Sequence, residues 1–133
     1  MSFTYLASPY SHPSPAVRQE RYEAVVRAAA RLMLDGQVVF SPIAHSHPVE
    51  TLGMPAPQSG AFWMKQDLAL LRHADRLLIL ALPGYEDSAG IKQEIEFALA
   101  FSIPVELLQP EAVGVLWPHE RPLRRAAGGI SEQ

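Results

Sequence analysis

Arg76-Leu77-Leu78-Ile79-Leu80-Ala81-Leu82 (RLLILAL) is an unbroken apolar run. A strand with one face in water alternates apolar and polar residues. A run without alternation is expected of a strand buried on both faces, inside a parallel sheet covered by helices. The flanking residues carry the same reading. Before the run, Phe62 to Ala74 (FWMKQDLALLRHA) has helical periodicity. After it come a tight loop over Pro83 to Asp87, a helical pattern from Ser88 to Ser102, and a short strand at Pro104 to Leu108 (PVELL).

The N-terminal part repeats this alternation. Phe3 to Ser8 (FTYLAS) reads as a first strand, and Ser8 to Pro15 is a loop with three prolines. Ser14 and Pro15 suit the N-cap and first position of a helix running to Leu34. Its expected inner stripe is Val17, Val25, Ala29, Leu32 and Met33, and Asp35-Gly36 stops it. Gln37 to Phe40 is a second strand. Ser41 to Ser59 reads as a long Pro- and His-containing loop, a length usually reserved for function or mobility. Val113 to Trp117 is expected as a last edge strand, with a flexible tail over 118–133. The order β-α-β-loop-α-β-α-β predicts one α/β domain over 1–117. Its expected fold is a flavodoxin/Rossmann-like open, mainly parallel sheet of about four or five strands, with helices on both faces.

Composition removes several functions. With 133 residues the chain holds one domain and not comfortably two. Net charge is −3 and the 11 Lys and Arg are scattered, so no nucleic-acid polymer is an expected partner. The one basic cluster, Arg121, Arg124 and Arg125, falls in the tail. No apolar run is long enough to span a bilayer, and no export signal is recognisable, so no membrane partner is expected. Cysteine is absent, which rules out disulfides, thiol catalysis and Cys-zinc sites and fits a cytoplasmic location.

Two carboxylates stand out by helical phase. On Phe62 to Ala74, Trp63, Met64, Leu68, Leu70, Leu71 and Ala74 share one broad face, and Asp67 lands near its middle. On Ser88 to Ser102 the expected inward stripe is Ile91, Ile95, Ala98, Leu99 and Ser102. Glu94 lies on its border, roughly above Asp87, while Lys92, Gln93 and Glu96 point to water. A buried carboxylate costs several kcal/mol unless paired or hydrogen-bonded. Converging ones usually mark a site. The plainer alternatives are a structural Asp67 bonded to backbone amides, Arg72 or Tyr10, a Glu94 that reaches water, and Asp87 and Ser88 as a helix cap. His45-x-His47 is half of a metal motif, but no Asp, Glu or His completes it, so no metal and no cofactor is expected. His45 is instead a candidate for the pocket wall. In such a sheet, ligands bind beyond the carboxyl ends of the strands. Three segments converge there: Ser8 to Ser14, Ser41 to Ser59, and Pro83 to Gly90.

These residues carry a resemblance. Tyr5-Leu6-Ala7-Ser8-Pro9, Gln66-Asp67-Leu68 with Ala74-Asp75 downstream, Asp87-Ser88-Ala89-Gly90, and Glu94-Ile95-Glu96-Phe97-Ala98 stand in one order and spacing. Together they resemble the nucleoside 2-deoxyribosyltransferase-like superfamily, which includes nucleotide N-glycosidases. Within it they are most similar to the branch called domain of unknown function 1937. The similarity spans Phe3 to Leu108. It implies Glu94 as the nucleophile that forms a glycosyl-enzyme ester, Asp67 as the group handling the leaving base, and Tyr5 as the partner orienting the nucleophile. Two departures accompany it: Glu96 stands where the superfamily often has Gly, and Asp87 to Glu94 is one residue longer than in some members.

The expected substrate is a small nucleoside or nucleotide, cleaved at its N-glycosidic bond or subjected to base exchange. Ser8, Tyr10, His45, Asp87, Ser88, Gly90 and Arg21 are the candidate binding residues. The resemblance also implies a homodimer or higher homo-oligomer, with Trp63, Met64 and Leu52 to Pro57 as interface candidates. The rival expectations are a non-catalytic nucleotide-binding module of the same fold and a partner-binding protein.

Overall fold

The computed structural model describes residues 2–115. Strands β1 (Thr4–Ala7), β2 (Val39–Phe40), β3 (Arg76–Leu80) and β4 (Val105–Leu108) form one parallel sheet in the order β2-β1-β3-β4. Helices α1 (Pro15–Leu34), α2 (Pro42–Gly53), α3 (Gly60–Leu71) and α4 (Ala89–Ala100) complete it, with 3-10 turns at Tyr85–Asp87 and Pro110–Val113. This is the α/β Rossmann-like architecture the apolar run predicts.

The period-2 geometry of β1 and β3 divides the core. Leu6 pairs with Leu78, and both face α1, meeting Ala24, Val25, Ala28 and Leu32. Tyr5 pairs with Leu77 and Ala7 with Ile79. These face the other way, toward Leu71 of α3 and Ile91 and Ala98 of α4. β1 therefore sends its chain to one face of the sheet and neighbouring β3 sends its chain to the other. Their carboxyl ends splay apart between them, the place where such sheets open a crevice.

Four expectations are corrected. Residues 41–59 are not one long loop, because α2 occupies Pro42–Gly53. Ser41 caps it, its Oγ accepting from Ala44 N at 3.1 Å, and Pro42 is preorganised for the first turn. Pro48, inside the helix, removes one ladder bond and disguises the pattern. Val113 lies in a 3-10 turn, not a strand; it packs with Val115 against α1, while residues 116 and 117 lie outside the described residues. The sheet therefore has four strands among the described residues. The tail over 118–133, with its arginines, also lies outside them. Met33 is 51% exposed, because the buried arc of α1 runs through Arg21, Ala24, Val25, Ala28, Ala29 and Leu32, about 100° away from it.

The fourth correction bears on function. The buried stripe of α4 is Ile91, Glu94 and Ala98, and Leu99 is 66% exposed. The helix is rotated so that a carboxylate goes in and a leucine stays out. Transfer energetics alone favour the opposite rotation by a few kcal/mol. α4 packs so as to place Glu94.

Candidate active site

A cleft of about 1080 Å³ opens at the carboxyl ends of β1, β2 and β3. One wall comes from α1 and α2, the other from α3 and α4. The β1–α1 loop and the β3–α4 turn close its inner end.

At its floor, the Tyr5 hydroxyl donates to Glu94 Oε2 at 2.5 Å. Glu94 is only 5% exposed and Tyr5 is fully buried. The pair forms because Tyr5 lies on the α4-facing side of central β1, while Glu94 is one turn from both Ile91 and Ala98, which pack on that side. Burial pushes the Tyr5 phenol far above its usual range, and the charges of Glu94 and Asp67 push it further, so it stays protonated and donates. Burial raises the Glu94 carboxyl to about 8; Asp67 adds to the rise and the Tyr5 hydrogen bond opposes it.

Asp67 lines the same cleft from α3, half-buried, and burial raises its carboxyl to about 6. It makes no hydrogen bond or ion pair with any described residue. Arg72 instead lies over the Phe101 ring at 4.4 Å, and Tyr10 bonds His47. The structure thus holds a carboxyl pair of unequal acidity, one bound to a phenol and one open to a ligand.

The inner end carries opposite charge. Arg21 is 9% exposed and bridges the two loops, donating from Nη1 to Ser11 O at 2.9 Å and from Nη2 to Pro83 O at 3.3 Å. A Cβ on Gly84, whose φ is +92°, would sit 2.8 Å from Arg21 Nη2, so glycine permits this approach. Arg21 Nε and Ser8 Oγ are buried without a partner among the described residues. Ser88 caps α4, its Oγ accepting from Ile91 N at 3.2 Å, and the first turn of α4 borders the cleft through Ser88, Ala89 and Gly90. Asp87 lies beside it in the 3-10 turn and also lines the cleft; the cap itself is Ser88.

The cleft thus gathers Ser8, Tyr10, Arg21, Asp67, Asp87, Ser88, Gly90 and Glu94, with Tyr5 behind Glu94. His45 does not join them. It is exposed and packs against the Phe40 ring, and His47 lines the cleft in its place. On an extended segment the two would share a face; on α2 they point about 200° apart. No group of three metal-ligating side chains occurs among the described residues. One histidine of the pair lines the cleft as expected, but it is His47, and Glu50 joins it unforeseen, although the Ser41-Pro42 cap signal puts Ile43, His47 and Glu50 on one helical face. Trp63 and Met64, singled out for a subunit interface, line the cleft; Trp63 Nε1 donates to Glu50 Oε2 at 2.8 Å. Glu96 is exposed, as its phase predicts. None of the described helices is long and apolar enough to cross a membrane.

The fold has a solved counterpart. The chain is similar to a 2-deoxyribosyltransferase from the psychrotolerant bacterium Bacillus psychrosaccharolyticus, at 26% identity and a TM-score of 0.56, covering 82% of this chain and 73% of that one. A comparison with curated protein sequences finds no match. The model of the family described as "Domain of unknown function (DUF1937)" matches residues 2–109, most of the chain, and the protein belongs to that family.

Proposed function

We propose that this protein cleaves the N-glycosidic bond of a nucleoside or nucleoside 5′-phosphate, by hydrolysis or base exchange, through an ester on Glu94. One observation carries the reading: a buried glutamate held by a tyrosine and a second, unpartnered carboxyl line one cleft large enough for a nucleotide. The 2-deoxyribosyl transfer named for the structural relative fits the same geometry.

Between about pH 6 and 8 the carboxyl pair holds one proton; it rests chiefly on Glu94, and the reactive arrangement carries it on Asp67 and leaves Glu94 ionised. A Glu94 oxygen attacks C1′ and the C1′–N bond breaks, its electron pair passing to the base. Asp67, with its acidity lowered to about 6, delivers the proton that neutralises that nitrogen. Water, or a second base, then attacks C1′ and releases Glu94, while Asp67 takes a proton back. Tyr5 holds the Glu94 carboxyl in one rotamer and tempers its affinity for a proton.

The cationic inner end suits the 5′ side of the substrate. Arg21, Ser8 and the first turn of α4 offer donors and a helix dipole to an anion. Tyr10 and Asp87 flank that end. A nucleoside 5′-phosphate is expected to bind more tightly than its nucleoside, and Ser88→Glu should reverse the preference. Equal affinities in calorimetry at moderate salt would remove the phosphate from the model. The decisive test is incubation with a panel of nucleosides and nucleotides, following free base by chromatography and a sugar adduct on the protein by mass spectrometry. Absence of both products across the panel would refute catalysis and leave a binding module.

A further inference from the structure

His47 is held more firmly than a cleft histidine needs to be if it only fills space. Its Nδ1 is 2.7 Å from the Tyr10 hydroxyl. Its ring stacks on Tyr22 of α1, with centroids 3.9 Å apart and planes at 18°. The β1–α1 loop and helices α1 and α2 thus combine to fix one imidazole in the cleft wall, with Nε2 taken up by no described residue.

The tautomer follows from the neighbours. Burial lowers the affinity of His47 for a second proton, so the ring is neutral; Glu50 and Arg18 act on it in opposite senses. The Arg18 guanidinium lies near enough to Tyr10 for its positive charge to act on the hydroxyl, and it carries donors only. That charge draws the lone pairs of the Tyr10 oxygen toward Arg18 and turns its proton toward His47 Nδ1. The remaining ring proton sits on Nε2, which makes His47 a donor.

In-line displacement says what that donor meets. Glu94 attacks C1′ from the cleft floor, so the base leaves away from it, toward the α1–α2 wall. His47 lines that wall and Asp67 the opposite one, and the Glu50–Trp63 hydrogen bond spans the two, so a base leaving in line passes between His47 and Asp67. We propose that His47 is the specificity-determining residue of the site, its Nε2–H reading an acceptor on the base edge and selecting oxo bases over their amino counterparts. This rests on the N-glycosidase reading for the placement of the base.

Free bases test it without requiring turnover. Calorimetry with hypoxanthine against adenine, and uracil against cytosine, should show roughly tenfold tighter binding of the oxo member of each pair, the size of one neutral hydrogen bond. His47→Ala should erase the preference. Tyr10→Phe leaves the ring stacked on Tyr22 but frees the tautomer, so the ratio of oxo to amino affinities should collapse, which a purely structural role would not produce. Preference for the amino bases, an unchanged preference in His47→Ala, or failure of all four bases to bind overturns the proposal. A retained oxo preference with no nucleoside cleavage would instead defeat the catalytic reading and leave His47 as the reader of a binding site.

Discussion

The two ends of the sheet treat charge in opposite ways. At the amino end, Arg76 opens β3 and engages each of its three nitrogens: Nε to Thr4 Oγ1 at 3.0 Å, Nη1 to Glu106 at 2.9 Å and Nη2 to Gln37 at 2.7 Å. One side chain thereby ties β1, β3, β4 and the lead into β2. At the carboxyl end, Asp67 has no partner among the described residues, Arg21 Nε and Ser8 Oγ are orphaned, and Glu94 is buried with a proton affinity far above a surface glutamate's. Satisfied charge stabilises a fold, and unsatisfied charge waits for something the fold does not contain. The contrast separates structural polar groups from functional ones without appeal to the family.

The sharpest way to break the contrast is Glu94→Gln. Turnover should fall by at least about 10³-fold, the loss expected of a nucleophile. Stability should not fall with it. The folded carboxyl titrates at about 8 and the unfolded one near 4.5, so the native state binds the extra proton between those values and wild-type stability declines as pH rises through that window. An amide in place of the carboxyl removes the decline. The melting-temperature advantage of Glu94→Gln should therefore be smallest below about pH 4.5 and largest above about pH 8. An advantage that shrinks with rising pH would show that Glu94 is charged and stabilising.

Asp67→Asn comes next, with an expected loss of about 10²–10⁴-fold. The reactive form holds one proton on the carboxyl pair, so the wild-type kcat/KM profile should be a bell with limbs near 6 and 8. The substituted amide cannot lose a proton, so the falling limb at high pH should disappear. The remaining rise should then follow ionisation of Glu94, somewhat below 8 because the Asp67 charge no longer opposes it, and so lie at higher pH than the wild-type rise near 6. A profile that keeps its basic limb would exclude Asp67 as the acid.

Arg76→Met probes the other end. Losing a partly exposed, three-way donor should cost about 1–3 kcal/mol in denaturant unfolding. Activity per folded molecule should be untouched, and a large drop in kcat would erase the distinction between the two ends. Glu96→Gln is the smallest change. It lies two residues from Glu94 on the exposed side of α4, and neither melting temperature nor kcat should move. Equal damage from the Glu94 and Glu96 substitutions would sink the phase argument itself.

Local pattern determined a great deal of this protein. The apolar run at 76–82, the Ser-Pro cap at 14–15 and the 100° periodicity sufficed for the parallel sheet, for three of the four helices and for Asp67 and Glu94 as carboxyls on faces that should be apolar. These features are local, because each element must present one face to a core whatever its neighbours are. Tertiary structure alone decided the rest. It turned residues 42–53 into a helix despite Pro48, and so exchanged His45 for His47 in the cleft. It rotated α4 until Glu94 was inside and Leu99 outside. It joined Tyr5 to Glu94 across 89 residues of chain and Arg21 to Pro83 across 62. Periodicity states which face of an element turns inward. Which residue it meets there depends on how distant elements pack, and no local pattern records that.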